Sequence, residues 1–296
     1  MNSPASAIST ESLQTGSLPE GVVPPAPHAS MPTFGLLVLG DELLSGRRAD
    51  KHVPKAIELL GARGLALSYV HMIGDDRARI ADQLRRSFAS GDVVFSCGGI
   101  GATPDDHTRQ AAAEALGVPL AMHPAARAQI LARMRDVASE KGEPFDEERA
   151  DNLQRLQMAM FPEGASIIPN PYNRIAGFSV GHVHFMPGFP VMAWPMMEWV
   201  LDTFYAHWFE RRHWVERSII VRKAYEAALT PLMERLEATY PGIKVFSLPS
   251  VDHPVYGPHI DLGVKGGDQQ AVDAAFEDMV RSLGAMGCDL GPELRR

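Results

Sequence analysis

The chain has 296 residues, 45% hydrophobic and 22% charged, the balance of an ordinary globular protein long enough to bury a core without covalent staples. Its two cysteines, Cys97 and Cys288, are too few for a disulfide framework and lack metal-site spacing, which points to a reducing, cytoplasmic setting. A net charge of −8 argues against nucleic acid or anionic lipid as partner of the whole molecule, and no run of about 18 apolar residues is present to cross a membrane.

Residues 1–33 are rich in Ser, Pro, Ala and Thr and lack apolar periodicity, so a disordered tail is expected there. No Lys or Arg precedes Arg47, which argues against a secretory or organellar leader. Residues 34–40 (FGLLVLG) read as a strand buried on both faces. A helix over 49–60 follows, stopped by Gly61 and Gly64, then a strand over 65–73. Asp75 or Asp76 caps the next helix, where Ile80, Leu84 and Phe88 recur every four residues. Residues 92–97 are a third buried strand, followed by a loop over 98–106 and a helix over 107–116. This alternation of buried strands and helices predicts an α/β fold with parallel βαβ units. One or two helices cover 124–160, broken near 141–144. The Gly-, Pro- and Asn-rich stretch 162–190 holds two short edge strands, 166–168 and 182–186, and a helix covers 190–208. From about residue 217 the order is strand, helix, strand, strand, helix, a small α+β unit (βαββα). The expected division is therefore a tail over 1–33, an α/β domain over 34–212 and a small domain over 213–290.

The strongest chemical candidate is residues 96–108, SCGGIGATPDDHT. Gly98, Gly99 and Gly101 let the backbone turn sharply beside a ligand, and the next helix directs unpaired N–H groups at an anion. Ser96, Thr103 and Thr108 complete the candidate phosphate set. Asp105 and Asp106 would repel a bare phosphate, a conflict removed if Mg²⁺ or another divalent cation bridges the two. An ordinary tight turn with Asp106 as helix cap fits the same residues. The stretch is neither a Walker A loop nor GxGxxG.

Gly40, Asp41 and Glu42 end the first strand, where open parallel sheets form their ligand crevice. These carboxylates suit a metal, a ribose hydroxyl or a pterin N–H, and equally a helix cap. Pro187 and Gly188, with Asn170 and Arg174 in NPYNRIAG, lie in loops able to close such a site. Arg174 is either a phosphate clamp or an exposed loop arginine. His182 and His184 suit β packing better than a metal, and Cys97 reads as a buried small hydrophobe.

The order GDELLSG, SCGGIGATPDDHT, FPEGASIIPN, MPGFP resembles the molybdopterin-binding domain of molybdenum-cofactor biosynthesis, in the form found in competence/damage-inducible protein A (CinA) and some FAD synthases. The resemblance covers about residues 33–209. It implies a three-layer αβα fold with a mostly parallel sheet and assembly as dimers or trimers. It also implies Gly98, Gly99 and Gly101 at a phosphate, with Asp105, Asp106 and Glu42 as catalytic or metal-side carboxylates. The implied activity is metal-dependent hydrolysis of a nucleotide pyrophosphate, ADP-ribose- or FAD-like; the alternative is non-catalytic binding of molybdopterin or a related pterin. The deamidase domain of full-length CinA has no counterpart in the sequence. The family's Pro-Gly-Pro-Pro stretch with Glu-Met after it reads PGFPVMA here, without the Glu, and its Gly-Thr-Ala-Pro-Gly reads NRIAG.

Overall fold

The computed structural model describes residues 18–209 and 215–295. The described residues divide into two compact units, one up to residue 62 and again over 66–208, the other over 63–65 and from 209 onward.

The first unit begins with β1 (Phe34–Leu39), all six residues buried, then α1 (Asp41–Leu44), α2 (His52–Gly61) and β2 (Leu67–Ile73). Next come α3 (Arg77–Ser90), β3 (Val93–Cys97), α4 (Thr108–Leu116), β4 (Leu120–Met122) and α5 (Pro124–Lys141). The unit continues through α6 (Ala150–Leu156), β5 (Met160–Pro162), β6 (Ser166–Ile168), β7 (Gly177–Val180), β8 (Val183–Met186) and α7 (Pro190–Phe204). Helix boundaries follow local chemistry. Asp76 caps α3 by accepting from the Arg79 N–H at 2.9 Å, and left-handed Gly91 ends it. Pro at the first turn and left-handed Gly142 bound α5.

The main sheet runs β2-β1-β3-β8-β7-β6, and three of its five pairings are parallel. Leu37, Leu39, Val94 and Phe185 point to one face, into a core with Ile80 and Leu84 of α3, Ala112 of α4 and Ile130 of α5. On the other face α2 packs against β1 and α7 against β8. The result is three layers, and it explains why β1 reads as a continuous apolar run. Each fully buried Leu or Phe there contributes about 1.5–3 kcal/mol.

The structure departs from the sequence expectation in the 162–190 stretch. β8 is an interior strand between β3 and β7, not an edge. β7 is an additional strand, a hairpin partner of β8, with Phe178 stacked between Phe161 and Phe185 at 4.7 and 4.3 Å. Four residues among glycines and asparagines are too short for a visible alternation, so only the packed aromatic column defines this strand. The tail expected over 1–33 is also revised. Residues 1–17 lie outside the described residues, but within 18–33 residues 21–23 are held on the sheet edge. There the Val23 N–H donates to Ser166 Oγ at 2.7 Å and the Ile167 N–H to the Gly21 carbonyl at 3.0 Å.

The second unit comprises β9 (Val215–Arg222), α8 (Glu226–Thr239), β10 (Lys244–Ser250), β11 (His259–Gly266), α9 (Gln269–Ala285) and β12 (Asp289–Arg295). Its antiparallel sheet runs β10-β11-β9-β12. β12 extends the expected βαββα unit past residue 290. Gly291 and Pro292 interrupt its alternation, and its register on β9 shifts between Leu290 and Glu293. What holds it is Arg217, whose guanidinium donates to Glu293 at 2.6 and 2.9 Å and to Asp273 at 2.6 Å while stacked 4.1 Å from the Phe276 ring. The expected boundary at 212–213 falls outside the described residues.

His182 and His184 do serve β packing. His184 is fully buried, bonded to Ser179 Oγ at 2.8 Å and to the Tyr205 hydroxyl at 2.8 Å, which His182 shares at 3.0 Å. His28 stacks on His182 at 3.7 Å between ring centres. Burial, and secondarily His182, lowers the His184 pKa from 6.5 to about 3. The unfolded chain therefore takes up a proton that the folded chain refuses. The stability this gives is complete above pH 6.5 and falls as pH drops from 6.5 toward 3. Unfolding free energies from urea titrations are expected to stay level between pH 7.5 and 6.5 as far as this residue is concerned, then to fall by about 1.4 kcal/mol per pH unit down to pH 4.5, with a shallower fall in His184→Gln.

Candidate functional site

The carboxyl ends of β1, β2, β3 and β8 meet at one edge of the sheet. After β1, the Asp41 N–H donates to Asp75 Oδ2 at 3.0 Å, and the Asp75 N–H returns a bond to Asp41 Oδ1 at 3.2 Å. This reciprocal pair locks the end of β1 to the end of β2. The Glu42 carboxylate pairs with Arg48 at 3.3 Å. Asp75 has its carboxyl pushed above the usual range, first by burial and then by the charges of Asp41, Glu42 and Asp105.

After β3 the chain bends at Gly98 (φ 114) and Gly99 (φ 68). A Cβ on Gly98 would stand 2.6 Å from the Leu39 carbonyl oxygen, and one on Gly99 2.1 Å from Thr108 Oγ1. The loop's carbonyls are tied back one by one. Gly98 accepts from Thr108 Oγ1 at 3.0 Å, Gly99 from the Thr108 N–H at 3.0 Å, Gly101 from Arg109, and Ala102 from Gln154 at 3.1 Å. The amides of Gly99, Ile100, Gly101 and Ala102, by contrast, have no hydrogen-bond partner among the described residues. A loop with its acceptors engaged and successive donors free is suited to an anion.

Thr108 thus holds the loop from inside, rather than standing open to a ligand. Asp106 does likewise, accepting from the Thr103 N–H at 2.9 Å and the Thr103 hydroxyl at 2.5 Å, above Gly101. Asp105 is exposed, and its carboxyl is held below the usual range, first by hydrogen bonding to Thr103. Asp106 thus spends Oδ2 on its own turn, while the Asp105 carboxylate is exposed. Among the described residues no group of three or more His, Cys, Asp or Glu is arranged to hold a metal ion.

Beside the bend lies a cavity of about 220 Å³ lined by Glu42, Arg48, Lys51, His52, Cys97 and Gly188. A larger depression of about 520 Å³, lined by Asp41, Gly74, Asp76 and Arg79 among others, opens on the other side of α1. His52 is buried with Nε2 3.1 Å from the Gly188 carbonyl, and burial lowers its pKa, so the neutral ring donates to that carbonyl and ties α2 to the β8–α7 turn. Burial raises the Cys97 thiol pKa, which leaves it an inert wall of the cavity.

Several expected residues lie elsewhere. Ser96 is enclosed within β3. Asn170 spends its side chain on its own loop, bonded to Asn173, Ile175 and Tyr172 at 2.8–3.0 Å. Arg174 pairs with Asp136 of α5 at 2.8 Å and lines a separate cavity with Pro195 and Trp199. Arg48, Lys51, His52 and Asp75 are the site residues that sequence reasoning missed. The repeat of Gly-Asp-Glu at 40–42 by Gly-Asp-Asp at 74–76, each closing a strand, was the available signal for Asp75.

A family model described as "Probable molybdopterin binding domain" matches residues 35–207. A protein of Pyrobaculum calidifontis is 30% identical over 262 residues, covering 86% of this chain and 96% of that protein. A CinA-like protein of Anaeromyxobacter sp. (strain K) is 33% identical over 171 residues, 56% of this chain and 40% of the relative, so the match spans less than half of that longer protein. Among solved structures, the protein CinA of Thermoplasma acidophilum, of unknown function, aligns at 25% identity with a TM-score of 0.47, over 57% of this chain and 95% of that one.

The bend is testable by contrast with Gly46, which has φ 73 but nothing within 4 Å of an added Cβ. Gly46→Ala is expected to cost about 1–2 kcal/mol from backbone strain alone. Gly98→Ala adds displacement of the Leu39 peptide and is expected to cost about 3 kcal/mol or more. Urea unfolding of both variants measures the difference, and equal losses would refute the close approach.

Proposed function

The chain belongs to the molybdopterin-binding-domain family, and from that premise we propose that its strand-end crevice binds a phosphate-bearing pterin or nucleotide. The observation that carries this reading is the run of amides at residues 99–102 that have no hydrogen-bond partner among the described residues, in the loop that begins just past Cys97, a wall of the cavity bearing Arg48 and Lys51. The phosphate accepts from those amides, and the two cations balance its charge against Glu42 and Asp105. Gly98 and Gly188 lie so close that a Cβ on Gly188 would stand 3.4 Å from the Gly98 Cα, so the backbone forms the cavity's narrow end. The pterin ring then takes the apolar side, along Leu43 and Phe189. Cytoplasmic location and assembly as a homo-oligomer belong to the same reading; exposed Leu44, Phe189 and Val191 around the crevice support the latter. Among the described residues no helix is long and apolar enough to cross a membrane.

A second reading, hydrolysis of an ADP-ribose- or FAD-like pyrophosphate, is supported by Asp75. A carboxyl held above its usual range among other carboxylates is suited to accept a proton from water. No step is assigned to a metal.

Mass spectrometry of small molecules released from the purified full chain is expected to find a phosphorylated pterin or nucleotide, with occupancy about tenfold lower in Arg48→Ala and in Lys51→Ala. Incubation with ADP-ribose or FAD and Mg²⁺, Mn²⁺ or Co²⁺ separates the readings. Release of AMP, reduced about 10²–10⁴-fold in Asp75→Asn, would establish hydrolysis. Neither bound ligand nor AMP would end both.

A further inference from the structure

A second cavity, of about 260 Å³, lies between α5, the 142–149 connection and α6, and shares no residue with the crevice. Its floor is apolar, built from Met134, Val137, Phe145, Met158 and Ile175. Its lining also carries four cations, Arg133, Lys141, Arg149 and Arg155, against two carboxylates, Glu143 and Asp146. Three of those cations already have partners. Arg149 holds Asp151 at 2.5 and 2.9 Å, Arg155 holds Asn152 at 2.7 Å and Asp151 at 3.0 Å, and Arg133 reaches Glu140 at 3.4 Å. The Lys141 ammonium has no carboxylate partner among the described residues. Lys141 is the basic residue of the last turn of α5, where the helix's carbonyl end favours a positive charge.

An apolar pocket with one uncommitted ammonium at its mouth matches an apolar body carrying a single anionic group. A doubly charged ligand is disfavoured, because Glu143 and Asp146 oppose it and the arginines are spoken for. The wall formed by α6 also reaches the glycine loop. Gln154 donates to the Ala102 carbonyl at 3.1 Å, while Arg109 links the Gln157 carbonyl, just past α6, to the Gly101 carbonyl. These are two of the contacts that leave the loop's amides free.

We propose that the α5–α6 cavity is a second ligand site for a small amphipathic monoanion, and that its occupancy steadies the glycine loop through Gln154 and Arg109. The carboxylate of a medium-chain acid and the acidic group of an aromatic ligand share this chemistry.

The test uses the full chain and two probes, decanoate and the fluorescent aromatic sulfonate 1-anilinonaphthalene-8-sulfonate. The sulfonate is expected to bind at one displaceable site, with decanoate displacing it and the neutral decanol doing so much less well. Ala138→Trp, which fills the cavity, removes that binding. Lys141→Glu weakens it about tenfold, the worth of one charge-assisted contact. Amide hydrogen exchange at residues 99–106 is expected to slow when decanoate is bound. Thermal melting of each variant checks that the fold is kept; if Ala138→Trp unfolds, Lys141→Glu and the decanol comparison decide. Binding unaffected by the variants, or decanol equal to decanoate, overturns the site. Binding with unchanged loop exchange overturns the link to the loop. Since no crevice residue is altered, failure here is distinguishable from loss of the pterin or nucleotide.

Discussion

At the end of β3 the backbone passes so near the end of β1 that no side chain fits between them: a Cβ on Gly98 would sit 2.6 Å from the Leu39 carbonyl oxygen. That approach forces a left-handed path at Gly98 and Gly99, which only glycine follows without strain. Along that path the loop's carbonyls accept from Thr108, Arg109 and Gln154, while its amides at 99–102 have no partner among the described residues. A buried polar group without a partner is costly, so four free N–H groups persist only where solvent or a ligand can reach them. The loop's fitness for an anion and its tight packing on β1 are one fact seen from two sides.

Around this loop, charge is sorted at short range although the chain as a whole is acidic. Asp41 and Asp75 clasp each other's amides and hold the ends of β1 and β2 together, while Arg48 and Lys51 lie on the other side of α1. The clasp has an electrostatic consequence. Burial and three neighbouring carboxylates disfavour the charged form of Asp75. His52, neutral because it is buried, contributes geometry instead, carrying a hydrogen bond from α2 to Gly188.

The second unit solves a different problem with similar means. Its last strand is irregular, and a nearly buried arginine joins β9, α9 and β12 through two carboxylates and the face of Phe276. Arginine suits this role because its planar fork can bind carboxylates edge-on while its face stacks on a ring. The histidine–tyrosine chain of the first unit likewise replaces apolar packing with satisfied polar contacts. His184 in particular is fully enclosed yet bonded on both ring nitrogens.

The amino-acid sequence by itself determined the layered α/β plan. β1 and β3 are nearly all-apolar runs, and such runs are stable only when helices cover both faces. It also located the glycine bend and the acidic strand end at Gly40, because special backbone conformations require special residues. The motif order named the family. Tertiary structure decided the rest. Whether Asp106 faces a metal or its own Thr103, whether Arg174 clamps a phosphate or pairs with Asp136, and whether Lys51 and His52 line a cavity depend on neighbours distant in sequence. The short strands β7 and β12 likewise gain their identity from Phe161, Phe185 and Arg217. A side chain's partners are set by where the chain returns, and local residue patterns carry no record of that return.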